Sequence, residues 1–123
     1  MKRVLVIDDA ATVRMFCRVT LQGGGIQVEE AVNGIEGLEK AMQAPFDLYV
    51  VDVNMPKLDG YGFLRELRSL DLPQAPAIMV STEAELADLA RAFAAGANVY
   101  LFKPVKPHQL LTHVRLLIGD VHP

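Results

Sequence analysis

The chain has 123 residues, 51% hydrophobic and 22% charged, a balance that suits one globular domain and excludes a disordered one. Twelve Lys and Arg against 15 Asp and Glu leave a net charge of −3, so nothing in the bulk charge draws it to nucleic acid or an anionic membrane. The one cysteine, Cys17, excludes an internal disulfide, and no apolar stretch nears the roughly 18 residues that a membrane-spanning helix needs.

Taken in chain order, short apolar runs alternate with longer stretches of helical spacing. Val4-Leu5-Val6-Ile7 reads as a first strand and is too short for a signal peptide. Val13, Phe16, Cys17 and Leu21 then recur at helical spacing until Gly23-Gly24-Gly25 stops the helix. Ile26 to Ala31 alternates, the pattern of a strand near a sheet edge. Ile35, Leu38 and Met42 mark a second helix, and Leu48-Tyr49-Val50-Val51 a third strand buried on both faces. Phe63, Leu64, Leu67 and Leu70 mark the next helix, and Pro73 and Pro76 bracket the loop before Ala77-Ile78-Met79-Val80. Leu86, Leu89, Ala90 and Phe93 form an expected core face. Val99-Tyr100-Leu101-Phe102 is the fifth strand, and Leu110, Leu111, Val114, Leu117 and Ile118 close the pattern. Cys17 and the methionines are expected in the core, and His108 and His113 at the surface.

Five strands alternating with five helices predict an α/β fold, with a parallel sheet covered on both faces. Ligands in such folds sit at the carboxyl ends of the strands. Asp8 and Asp9 follow the first strand, Asp52 the third, Ser81 and Thr82 the fourth, and Lys103-Pro104 the fifth. Taken singly, each has a plainer role. Asp8 and Asp9 suit a helix N-terminus, Ser81 or Thr82 a cap of the fourth helix, Asp59-Gly60 a turn and cap, and Lys103 a solvated loop. Taken together, they converge on one rim. Clustered carboxylates repel unless a cation joins them, and a hard, oxygen-ligated ion such as Mg²⁺ suits them. Lys103 adds a mobile positive charge, Ser81 a hydroxyl donor, and Asp52 a carboxylate nucleophile that would form an acyl phosphate.

The residues Val6-Ile7-Asp8-Asp9, Val50-Val51-Asp52-Val53-Asn54-Met55-Pro56, Asp59-Gly60, Ser81-Thr82 and Lys103-Pro104 resemble the response-regulator receiver family, in order and across essentially the whole chain. The resemblance implies a flavodoxin-like doubly wound sheet of order 2-1-3-4-5. It implies Asp52 as phosphoacceptor and Asp9 as a direct Mg²⁺ ligand, with Asp8 acting largely through water and Asn54 through its backbone carbonyl. Lys103 and Ser81 would contact the phosphoryl group, Tyr100 would be the switch aromatic, and the bond before Pro104 would be cis. Asn54, Glu83 and Glu29-Glu30-Ala31 further resemble the single-domain, CheY-like chemotaxis subgroup. Ser81 stands where threonine is commoner, and Thr82 where a smaller residue is usual. The bulk of Thr82 beside an acyl phosphate would slow the approach of water, which makes Thr82, with Asn54 and Glu83, a candidate for tuning the phosphoryl lifetime.

The expected protein is one receiver domain over 1–123 with no output domain, cytoplasmic and monomeric, and a switch rather than a turnover enzyme. The expected donor is a histidine kinase, and the expected reader a flagellar motor switch protein or another protein target; neither nucleic acid nor membrane insertion is expected. Four rival readings stand beside it. A flavin-binding protein would want a glycine- or hydroxyl-rich loop where Asp8 and Asp9 stand. An aspartyl-phosphate phosphatase would want an acid where Asn54 stands. A phosphorylation-independent binding module would not need the acids, hydroxyl and lysine. A phosphate sink or relay intermediate is not separated by sequence from motor control.

Overall fold

A computed structural model describes residues 1–119. The chain alternates without exception: β1 (Arg3–Ile7), α1 (Ala11–Gly23), β2 (Gln27–Ala31), α2 (Gly34–Gln43), β3 (Leu48–Asp52), α3 (Gly60–Ser69), β4 (Ala77–Ser81), α4 (Leu86–Ala95), β5 (Val99–Phe102) and α5 (Pro107–Ile118). The strands form one parallel sheet in the order β2-β1-β3-β4-β5, the flavodoxin-like arrangement expected from the sequence.

Side chains alternate across a strand, so each apolar run feeds two cores. Val4, Val6, Val50, Ile78 and Val80 pack with Cys17 and Leu21 of α1 and with Leu110, Val114 and Ile118 of α5. Leu5, Ile7, Tyr49, Val51 and Met79 point the other way, toward Leu38 of α2, Phe63, Leu64 and Leu67 of α3, and Ala92 and Ala95 of α4. Continuous hydrophobicity in β1, β3 and β4 is the direct consequence of having helices on both sides. The alternating strand β2 lies at an edge, as its pattern predicts.

The helix ends follow local chemistry. Gly24 donates back to the Leu21 carbonyl at 3.0 Å, and Gly25 takes a left-handed φ of +81°, which ends α1 cheaply. Asn33 caps α2 by accepting from the Glu36 N–H at 2.9 Å, and Asp59 caps α3 by accepting from Gly62 at 2.8 Å.

Four expectations are corrected. The core face of α4 is not Leu86, Leu89, Ala90 and Phe93: Leu86 is 84% and Phe93 48% exposed, while Ala92 and Ala95 are buried. The buried stripe is turned by about one residue, roughly 100°, because α4 packs through its small alanines and leaves the larger side chains outside. The continuous apolar run of β5 reads like those of strands buried on both faces, but only Leu101 is buried, because that strand is the other edge of the sheet. Of the methionines, Met79 is core, but Met1, Met15 and Met42 are exposed. Ser81 and Thr82 do not cap α4, whose N-cap is Glu85.

Candidate functional site

The sheet register builds the site. Ile7 pairs with Val51, Asp52 with Val80 and Ser81 with Phe102, so Asp8, Asp52, Ser81 and Lys103 stand nearly level at the carboxyl rim. The Lys103 N–H donates to the Ser81 carbonyl at 2.8 Å and carries the lysine to that level. The peptide bond between Lys103 and Pro104 is cis, as the resemblance implies.

Each of Asp8, Asp9 and Asp52 offers a carboxylate oxygen, and these atoms lie within 4.8 Å of one another. Asp8 and Asp52 are buried and Asp9 is exposed. The Lys103 ammonium donates to Asp52 at 2.9 Å and reaches Asp8 at 3.3 Å. One cation among three acids leaves excess negative charge in a half-enclosed place. Burial, opposed by the Lys103 hydrogen bond and helped by the charge of Asp8, holds the Asp52 carboxyl above its ordinary pKa. Burial pulls the Lys103 pKa down, but the hydrogen bond and charge of Asp52, then Asp8, outweigh it and the net shift is upward. The donor set is all oxygen and chemically fits a hard divalent cation.

Around this centre the other singled-out residues separate into two groups. Ser81 is fully buried, and its hydroxyl accepts from the Glu83 N–H at 3.0 Å. The Tyr100 hydroxyl donates to the Glu83 carbonyl at 2.9 Å, and its ring packs on the α2–α3–α4 core. Glu83 is thus the link between Ser81 and Tyr100, and its carboxylate also accepts from the Asn54 amide at 3.4 Å. Thr82 is exposed and borders, with Asp52 and Lys103, a cavity of about 500 Å³ that runs between α1 and α5. Cys17 lines the same cavity; burial first, then the charge of Asp8, pushes its thiol pKa up to about 12, which disfavours the thiolate there. His108 is exposed, and His113 bonds through Nδ1 to the Gln109 carbonyl at 2.8 Å, away from the rim.

Two supporting residues escaped the sequence reading. Gly60, read there as turn and cap chemistry, starts α3 directly against the acceptor strand. A Cβ at Gly60 would lie 2.3 Å from the Asp52 carbonyl oxygen, and the Gly60 N–H donates to Val53 at 2.9 Å. Glycine at a helix start that follows a site strand is the available signal. Arg14 donates to the Asp8 carbonyl at 2.7 Å and to Glu30 at 3.0 Å. Its signal is Arg14 and Arg18, one helical turn apart, facing an acid at the end of β2.

Known proteins resemble this chain along most of its length. The response regulator receiver domain family matches residues 4–115. The transcriptional regulatory protein ResD of Bacillus subtilis is 33% identical over 116 residues, covering 94% of this chain and 48% of that protein. The chemotaxis protein CheY of Thermotoga maritima is 34% identical over 111 residues, covering 89% of this chain and 92% of that protein. The structure of Vibrio cholerae chemotaxis protein CheY4 superposes with a TM-score of 0.90 at 36% identity, covering 95% of this chain and 98% of that one. The chain spans about half the length of several curated relatives, which are transcriptional regulators. A match over most of the chain, joined to a conserved fold and relatives above 30% identity, assigns it: this chain belongs to the response regulator receiver domain family of two-component systems.

Proposed function

We propose that this domain takes a phosphoryl group from a histidine kinase onto Asp52, in a Mg²⁺-dependent reaction, and passes the signal to a protein target by a change of shape. The carrying observation is Asp52 hydrogen-bonded to Lys103 inside a cluster with Asp8 and Asp9. Asp8, Asp9, Asp52 and the backbone carbonyl of Asn54 would hold the ion. When bound, Mg²⁺ supplies positive charge that offsets the charge of the incoming phosphoryl group.

The protein's own groups do the rest. Asp52 is buried at the end of β3 beside Lys103, where its ionised carboxylate is the nucleophile. One Asp52 oxygen attacks phosphorus, a new O–P bond forms, and the bond to the donor breaks. Lys103 already lies within hydrogen-bond reach of Asp52 and pairs with the new phosphoryl oxygens. Ser81 gives up the Glu83 N–H to donate its hydroxyl to the phosphoryl group, and that exchange disturbs the loop carrying the Tyr100 acceptor. The target reads α4, β5 and α5, where Leu86, Phe93 and Phe102 lie exposed. The domain acts as a switch and not a turnover enzyme. It works in the cytoplasm.

The full-length similarity to CheY supports a flagellar motor switch protein as the target. The relatives of about twice the length support an alternative, in which the receiver controls a transcriptional output. Co-precipitation of the phosphorylated domain with a motor switch protein distinguishes them.

Intact mass after incubation with a small phosphodonor tests the chemistry. One phosphoryl adduct in the wild type, absent with chelator and in Asp52→Asn, is expected. Stoichiometric labelling of Asp52→Asn would overturn the assignment.

A further inference from the structure

We infer that Arg14 is a positioning residue for the cation site, tying the main chain of Asp8 to Glu30 and so fixing the turn that presents Asp8 and Asp9. This rests on the proposal that those two acids hold Mg²⁺.

Besides the Lys103 contact to its carboxylate at 3.3 Å, three hydrogen bonds shape the turn at Asp8. The Asp8 N–H donates to Ala31 at 3.1 Å, continuing the sheet by one residue. The Asp8 carboxylate accepts from the Ala10 N–H at 2.9 Å, which bends the chain toward α1. The third restraint is Arg14, which reaches back from α1 to the Asp8 carbonyl at 2.7 Å. Without it that carbonyl would have to turn toward water, and the two acids beside it repel each other and Asp52. A guanidinium is suited to this task because its planar fork serves two acceptors at once.

The other prong of the fork is anchored. Arg14 Nε donates to Glu30 Oε1 at 3.0 Å, while Arg18 Nε donates to the other oxygen, Oε2, at 2.6 Å. The Lys40 ammonium donates to the Glu30 main-chain carbonyl. Glu30 is therefore held from α1 and α2, and Arg14 transmits that fixity to the strand end. The Arg14 side chain is only 15% exposed, against 36% for Arg18. Arg18 shares the carboxylate and the helix but makes no bond to Asp8, so it is an internal control.

The test is calorimetric Mg²⁺ titration of the whole chain with Arg14→Gln, Arg14→Lys and Arg18→Gln, alongside thermal unfolding. Loss of an outer support of metal-binding carboxylates should weaken Mg²⁺ binding by about tenfold in Arg14→Gln. Arg18→Gln should keep wild-type affinity although it loses an ion pair to the same Glu30. Should Arg14→Gln not fold, Arg14→Lys keeps the charge, loses the fork and is expected to weaken binding in the same direction. Amide exchange at Asp9 and Ala10 in metal-free protein gives a readout independent of the ion: faster in the Arg14 variants, unchanged in Arg18→Gln. Equal Mg²⁺ affinities in the Arg14 and Arg18 variants, with equal exchange, would overturn the positioning role. A wild type that binds no Mg²⁺ would overturn the cation reading, and exchange would then show whether Arg14 still orders the turn.

Discussion

At the amino ends of the strands, cations and acceptors answer one another; among Asp8, Asp9 and Asp52, at the carboxyl ends of β1 and β3, they do not. Arg68 donates to the Gly96 carbonyl at 2.9 and 3.1 Å, to Ala75 at 2.7 Å, to Gln74 at 2.9 Å and to Asn98 at 3.3 Å. That single guanidinium ties α3 to the loops before β4 and β5. Arg3 donates to the Pro45 carbonyl at 2.6 Å and pairs with Glu29, and its guanidinium lies 4.6 Å from the centre of the Phe46 ring. The Asp47 carboxylate accepts from the Arg3 N–H at 2.7 Å. At the other rim, Asp8, Asp9 and Asp52 crowd together with Lys103 as the cation that bridges two of them. The lesson is that one rim is finished by folding and the other is finished by what binds it.

Arg68→Ala attacks the finished rim and has the largest expected effect. It strands two partly buried carbonyls, those of Ala75 and Gly96, and should cost about 3 kcal/mol in urea denaturation, with phosphoryl uptake by the folded fraction unchanged. A loss of uptake with little loss of stability would dissolve the contrast. Asp52→Asn attacks the unfinished rim and should have the opposite sign. Because burial and Asp8 disfavour the ionised form, the neutral isostere should be more stable without Mg²⁺, on the order of 1 kcal/mol. Lys103 keeps Asp8 as a partner at 3.3 Å. Destabilisation of similar size would show that the Lys103 pair outweighs the crowding. Glu30→Gln gives the smallest effect and sharpens the comparison through pH. The hydrogen bond from Arg18, then that from Arg14, lowers the Glu30 pKa below its usual 4.5. Its stabilisation is therefore present above the usual carboxylate range and is lost as pH falls through the lowered value. The wild type should exceed Glu30→Gln by up to about 1 kcal/mol near neutral pH. The gap should close in acid; a gap that persisted there would mean that shape rather than charge is responsible.

The rim was legible in the sequence because function placed polar residues where buried apolar runs end. Asp8, Asp52 and Lys103 each follow a strand that hydrophobicity alone delimits, so their convergence needs only the topology. The edge position of β2 was legible in its alternating pattern, and the sheet order in the resemblance to the receiver family. The face of α4 was not, because alanine packs as well as leucine against a close neighbour and a hydrophobic spacing does not say which stripe turns inward. Gly60 and Arg14 were missed because each acts on a main-chain carbonyl, a partner that sequence does not mark, so the glycine at the helix start and the Arg14–Arg18 spacing were the signals to read. The link from Ser81 through Glu83 to Tyr100 likewise runs through backbone atoms.

Thermal unfolding of the whole chain against rising Mg²⁺ tests most directly whether the carboxyl rim is completed by a cation. Stability of the wild type should rise with the logarithm of Mg²⁺ once it exceeds the Kd, by about 1.4 kcal/mol at about ten times the Kd. The rise should be lost in Asp9→Asn and should not be reproduced by a monovalent salt of equal ionic strength. No rise, or the same rise in Asp9→Asn as in the wild type, would contradict the account.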